Sequence, residues 1–187
     1  MRDALALGFN DESKRMLRVA LAALARRDHS REELDRKLRR AFRPGRGASA
    51  DPLDEERGPA DEGANANAES ARAIEICQVL DRLQARGLLS DERMALSLVR
   101  TRSLRYGRRR IQQELERRGV DRATIAQSLP SPAEELARAR SVWQRKYGAP
   151  PATAAERARQ SRFLAVRGFD GSVIARVLAN EHEDALS

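Results

Sequence analysis

Apolar residues recur along this chain at helical spacing. Leu17, Leu21 and Leu24 stand at i, i+4 and i+7, and Ile76, Leu80 and Leu83 repeat that interval. On a helix of about 3.6 residues per turn each set makes one stripe, and each stripe needs a partner to cover it. Ser30, with Glu33 three residues on, is a capping-box start for a helix carrying Leu34 and Leu38. Gly87, Gly107, Gly119, Gly148 and Gly168 fall where stripes end, the place of a helix C-cap or an inter-helix turn. The pattern predicts about nine short helices. Between Pro44 and Glu69 the periodicity lapses into Gly, Ala, Pro, Asn and acidic residues, which reads as a flexible linker, with structure resuming near Ser70.

The pattern also repeats itself. Arg118-Gly119-Val120-Asp121 returns 49 residues later as Arg167-Gly168-Phe169-Asp170, and the apolar positions that follow keep step: Ile125 and Leu129 after the first, Ile174 and Leu178 after the second. Ser30, Leu34, Leu38 and Gly107, Ile111, Leu115 share the same offsets of four and eight. One short helical hairpin, too small to bury its own apolar face, is reused in tandem and stacked on its neighbours.

Composition agrees with helix. Aromatics are 4% of the 187 residues and Cys77 is the single cysteine, which excludes an intramolecular disulfide and a cysteine-built metal cage. No run of apolar residues approaches a bilayer span and the N-terminus lacks a signal-peptide pattern, so the expectation is a cytoplasmic protein with no membrane partner. The formal charge is +8, carried almost wholly by arginine, since only Lys14, Lys37 and Lys146 are lysines. Residues 1–70 are balanced, 71–130 carry a surplus of +6, and 131–187 a surplus of +2.

The middle surplus is concentrated in Arg100, Arg102, Arg105, Arg108, Arg109, Arg110, Arg117 and Arg118, opposed locally by Glu114 and Glu116. If Ile111 and Leu115 face inward, Arg110, Gln113 and Arg117 share an outer flank and Arg109 points nearly opposite the core. Forked guanidinium donors in that arrangement suit phosphates or an acidic protein groove. Other chemistry is thin. His29 and His182 read as exposed polar residues, and Cys77, one position off its stripe, as a partly buried structural thiol. Asp51, Asp54, Glu55 and Glu56 read as solvated linker charge without a scaffold for a cation. No phosphate-binding glycine loop is present, two tyrosines are too few for a base-stacking platform, and no cofactor is expected. Trp143 and Phe163 read as core anchors. These features point away from an enzyme.

Several segments, in order, resemble the RecX regulators of the bacterial recombinase RecA: Ala22 to Leu38, Val79 to Leu129 and Arg138 to Leu178. The matching pieces include Leu88-Leu89-Ser90-Asp91-Glu92-Arg93-Met94-Ala95, where Met94 stands for the family's usual phenylalanine. Gly107-Arg108-Arg109-Arg110-Ile111 with Glu114-Leu115 and Arg118-Gly119 is a second piece, and Lys146-Tyr147 with Arg162-Phe163-Leu164 and Arg167-Gly168-Phe169 a third. The resemblance implies an all-α fold of tandem three-helix, helix-turn-helix-like repeats in an elongated, curved array. On that scheme 1–13 is an N-terminal tail, 14–87 the first repeat with a flexible insertion at 44–69, 88–130 the second, 131–180 the third, and 181–187 a C-terminal tail. It also implies binding to the RecA filament, inhibition of strand exchange, ATP hydrolysis and co-protease activity in DNA repair and the SOS response, and weaker, non-specific affinity for single- or double-stranded DNA. The nine expected contact residues are Arg100, Arg102, Arg105, Arg108, Arg109, Arg110, Gln113, Arg117 and Arg118. An array capped at both ends suggests a monomer. The rival is a helix-turn-helix transcription regulator that binds DNA by itself. A third class, a metal-dependent nuclease, rests only on the acidic linker.

Overall fold

A computed structural model describes residues 8–43 and 62–179. Among them every regular element is a helix: α1 Asp11–Leu24, α2 Arg31–Ala41, α3 Glu62–Ala85, α4 Asp91–Arg102, α5 Arg108–Arg117, α6 Arg122–Ser128, α7 Pro132–Gln144, α8 Ala154–Val166 and α9 Gly171–Ala179. The fold is all-α. The chain divides into two compact units, one ending at Asp91 and one beginning at Glu92.

In the first unit the stripes of α2 and α3 close as predicted, whereas α1 buries Met16, Leu17, Ala20 and Ala23 and leaves the expected Leu21 and Leu24 only partly buried against the cluster. Met16, Leu17 and Ala20 of α1, Leu34 and Leu38 of α2, and Ile76, Val79, Leu80 and Leu83 of α3 form one buried cluster. The capping box at Ser30 is formed as the sequence predicts. The Glu33 amide donates to Ser30 Oγ at 3.0 Å, and the Ser30 amide donates to the Glu33 carboxylate at 3.2 Å.

The second unit holds two clusters. Met94, Ala95, Leu98 and Val99 of α4 pack with Ile111, Leu115, Val120, Ile125 and Leu129 from α5, α6 and their flanks. Leu136, Ala139, Val142 and Trp143 of α7 pack with Leu164 of α8, Phe169, and Val173, Ile174, Val177 and Leu178 of α9. The tetrapeptide repeat has the same structural job in both. Val120 and Phe169 are buried. Asp121 accepts from the Ala123 and Thr124 amides at 3.0 Å, and Asp170 accepts from the Ser172 amide at 3.0 Å, so each aspartate caps the helix that follows it. These bonds hold both carboxyls below their ordinary range. For Asp121 the Thr124 side chain and amide contribute most, and for Asp170 the Ser172 amide does.

Four expectations are corrected. Helix α3 begins at Glu62, well before Ser70, so the last part of the expected 44–69 insertion is helical. Its earlier part, with Asp51, Asp54, Glu55 and Glu56, lies outside the described residues, as does His182. His29 is 8% exposed, with Nδ1 3.4 Å from Glu33 Oε2, because the α1–α2 turn folds it under the capping box. Cys77 is exposed, since its neighbours Ile76 and Val79 take the buried face. Phe163 is only partly buried: it meets Tyr147 edge-to-face at 5.2 Å, and the Arg167 guanidinium lies 3.6 Å from its ring centroid. Trp143, by contrast, is fully in the core. Gly107 lies in the turn between α4 and α5, one of the two places expected for it, and is the N-cap of α5, with φ −79°.

Candidate functional site

The arginine-rich helix α5 starts without a side-chain cap. Its first amides are satisfied by residues far along the chain. The Gly107 amide donates to the Arg167 carbonyl at 2.9 Å, the Arg108 amide to Glu135 Oε1 at 2.9 Å, and the Arg109 amide to the Gly168 carbonyl at 3.1 Å. Three donors that a helix start leaves open are thereby closed by α7 and by the turn after α8. Glu135 is 3% exposed, and its negative charge complements the positive end of the α5 dipole. Close beside it is Arg138, whose guanidinium is pulled below its ordinary value by burial and partly restored by the charges of Glu135 and Glu134.

This docking requires glycine twice. A Cβ on Gly107 would lie 2.4 Å from the Gly168 carbonyl and the Phe169 nitrogen. Gly168 has φ +83°, and a Cβ there would lie 2.5 Å from Arg110 Cβ. A related cap occurs in the first unit, where the Arg31 amide at the start of α2 donates to Asp91 at 2.7 Å.

The nine expected contact residues separate into four groups. Arg102 and Arg118 grip one internal carboxylate: Arg102 Nε is 3.0 Å from Glu114 Oε2, and Arg118 Nη2 is 3.0 Å from Glu114 Oε1. Burial pushes the Glu114 carboxyl up, but the hydrogen bonds and charges of these two arginines outweigh it and hold the carboxyl below its ordinary value. Arg108 is half-buried and donates from Nη1 to the Pro130 carbonyl at 3.0 Å, which ties it to the link before α7. Arg100 and Arg105 are exposed on α4 and on the link after it.

Arg109, Arg110, Gln113 and Arg117 come together on the exposed side of α5 and form one wall of a cleft of about 860 Å³. Arg110 is held in place. Its guanidinium lies 4.3 Å from the Tyr106 ring centroid, and Nη1 donates to the Val166 carbonyl at 3.2 Å. Arg117 Nε donates to the Gln113 carbonyl at 3.3 Å, and the charge of Arg109 acts on Asp170. The facing wall comes from the end of α8 and the start of α9: Ala165, Val166, Gly168, Phe169, Gly171 and Ile174. Val166 is 66% exposed although it is large and apolar. Glu116 completes the lining.

The flank shared by Arg110, Gln113 and Arg117 therefore exists as the helical spacing predicts. Sequence reasoning missed its other half. Val166 ends a helix whose apolar neighbour Leu164 does face the core, and no local signal separates the two. Glu135 was equally hidden, because a glutamate in the first turn of a helix reads as a dipole partner for its own helix rather than as a cap for another.

A family model described as RecX, second three-helix domain, matches residues 90–129, and one described as RecX, third three-helix domain, matches residues 133–178. The chain is similar to the Regulatory protein RecX of Chromobacterium violaceum, with 37% identity over 92% of this chain and 95% of that protein. It is also similar to the Regulatory protein RecX of Pseudomonas entomophila, with 43% identity over 87% and 88%. Its fold is similar to the crystal structure of RecX from Lactobacillus salivarius, with a TM-score of 0.65 and 17% identity over 90% of this chain and 95% of that one. A further RecX crystal structure gives a TM-score of 0.64 at 19% identity, covering 89% of this chain and 73% of that one.

Proposed function

The chain belongs to the RecX family, and on that premise we propose that it regulates without catalysis of its own, by binding the RecA nucleoprotein filament and inhibiting its recombinase, ATP-hydrolysing and co-protease activities. In this reading its repeats are 14–87, 88–130 and 131–180, and the second and third together present the working surface. The single observation that carries it is the convergence of Arg109, Arg110, Gln113 and Arg117 on one open cleft wall. A protein whose helix offers several forked donors in one plane is suited to a partner rich in carboxylates or phosphates. Arg100 and Arg105 extend the same positive region and supply the weaker, non-specific attraction for single- or double-stranded DNA. Arg102, Arg108 and Arg118 contribute by holding the scaffold. The protein acts as a cytoplasmic monomer on this account.

The test is single-stranded-DNA-dependent ATP hydrolysis by RecA with the protein added well below RecA stoichiometry, read together with filament length. Inhibition is expected, and the triple change Arg109→Ala, Arg110→Ala, Arg117→Ala should relieve it with helicity retained. Unchanged hydrolysis and unchanged filament length would overturn the proposal. A defined operator footprint obtained without RecA would transfer the reading to a transcription regulator.

A further inference from the structure

The cleft beside α5 has two chemically different walls, and that difference identifies what it receives. One wall is guanidinium, from Arg109, Arg110 and Arg117; the other is aliphatic, with Val166 at its exposed rim and Ile174 behind it. A nucleic-acid strand uses only the first wall. Its bases need a bare ring on which to stack, whereas the Tyr106 ring is covered by Arg110 and Phe169 is 2% exposed. Glu116, also in the lining, repels a run of consecutive phosphates. A protein segment uses both walls, with carboxylates on the guanidiniums and an apolar side chain against Val166.

We propose that this cleft is the docking site for a short protein segment in which acidic residues flank one large apolar side chain, with the carboxylates against the guanidinium wall and the apolar side chain against Val166. The assignment deepens the partner-binding role given above to the same surface and rests on it. It makes the cleft the protein-facing part of the basic region and leaves Arg100 and Arg105 to nucleic acid. Charge complementarity chooses the sign of the partner, and the exposed aliphatic rim supplies the selectivity that charge alone lacks. Arg110, already fixed by the Tyr106 ring and the Val166 carbonyl, gives up little side-chain freedom on binding.

The experiment uses the full chain and two synthetic peptides, one with a leucine flanked by glutamates and the other with that leucine replaced by serine. Binding is followed through the amide resonances of Gly168 and Gly171. The leucine peptide should shift both signals and bind about ten-fold more tightly than the serine peptide, the value of one buried aliphatic side chain. Val166→Ser, on an exposed site that leaves the core intact, should remove that difference while leaving the affinity for oligothymidylate unchanged. Equal binding of the two peptides, or no shift at about 1 mM peptide, would overturn the proposal. So would a Val166→Ser variant that loses oligothymidylate binding in step with peptide binding, which would make the cleft a nucleic-acid site. No RecA is present in these measurements. Expected peptide binding beside absent RecA inhibition would defeat only the functional proposal, and the reverse pattern would defeat only this one.

Discussion

The backbone amide of Arg108 donates to the buried carboxylate of Glu135 at 2.9 Å, across 27 residues of sequence. With the Gly107 and Arg109 amides held by the Arg167 and Gly168 carbonyls, the start of the arginine-rich helix is fixed by the repeat that follows it. Removing the acceptor leaves a helix-terminal donor unsatisfied in a nearly water-free position. Glu135→Ala is therefore expected to lower the stability of the second unit by about 2 kcal/mol. Glu135→Gln, which keeps an amide oxygen in place, should recover most of that loss. Urea unfolding followed by the emission of Trp143, the sole tryptophan and part of that unit's core, reads both variants. Equal midpoints for the alanine variant and the unaltered protein would refute the trans-cap.

Glycine at 107 and 168 is required by contact, not by turn preference alone. Gly107→Ala drives a methyl into the Gly168 carbonyl, with backbone on both sides of the clash. The expected loss is about 3 kcal/mol, the upper part of the range for overpacked sites. Gly87→Ala provides the contrast: that glycine has φ +66° but nothing within 4 Å of its would-be Cβ, so only conformational strain of about 1 kcal/mol is expected. Chemical denaturation of both variants should show the larger effect at Gly107. The opposite ranking would disprove the close approach.

Glu114 neutralises two arginines that could otherwise face a partner. Glu114→Gln should raise affinity for polyanions and steepen the fall of log K with log salt by about 1, as the negative charge beside Arg102 and Arg118 is removed. The stability lost with this partly exposed clamp should stay below about 1 kcal/mol. An unchanged salt slope in a heparin or oligonucleotide titration would show that the two arginines remain engaged elsewhere.

Acid should act through the same carboxylates. The folded-state values of Glu114, Asp121, Glu134 and Asp170 are all depressed. For Glu134 the Ser131 amide and hydroxyl contribute most, and for Glu114 the two guanidiniums overcome burial. A depressed value means stability that is fully present above the unfolded carboxylate pKa of about 4 and lost as pH falls through the lower folded value. These groups should leave the urea midpoint flat near neutrality and lower it progressively below about pH 4. A midpoint that rises on acidification would contradict the caps.

Trp143 Nε1 donates to Gln160 Oε1 at 2.7 Å inside the third cluster, where both residues are buried. Gln160→Leu strands the indole N–H in an apolar setting, and about 2 kcal/mol of destabilisation is expected, with a shift in tryptophan emission. An unaltered emission maximum and midpoint would mean that the bond contributes nothing.

Legibility in the sequence followed the range of the interaction. The Ser30 and Glu33 box and the stripes at Leu34, Leu38, Ile111 and Leu115 are all settled within about two turns of helix, and the structure has them as read. His29 and Cys77 were misjudged, because whether a polar residue beside a stripe is covered depends on which element lands over it. The arginine cluster was found but not sorted. Eight arginines and Gln113 separate into clamp, scaffold, cleft wall and exposed remainder only through Glu114, Pro130 and Val166.

What the sequence alone determined is the set of helices, their reuse as a repeated hairpin, and a positive charge concentrated in the middle of the chain, because periodicity, capping and charge count are local properties. The tertiary structure alone decided which guanidiniums clamp Glu114, which line the cleft, and what stands opposite them. Gly107 meets Arg167 and Gly168 across about sixty residues, and only when those segments touch does the basic flank of α5 gain its aliphatic wall. Hydrogen bonding and desolvation, acting between residues distant in sequence, turn a run of arginines into a site.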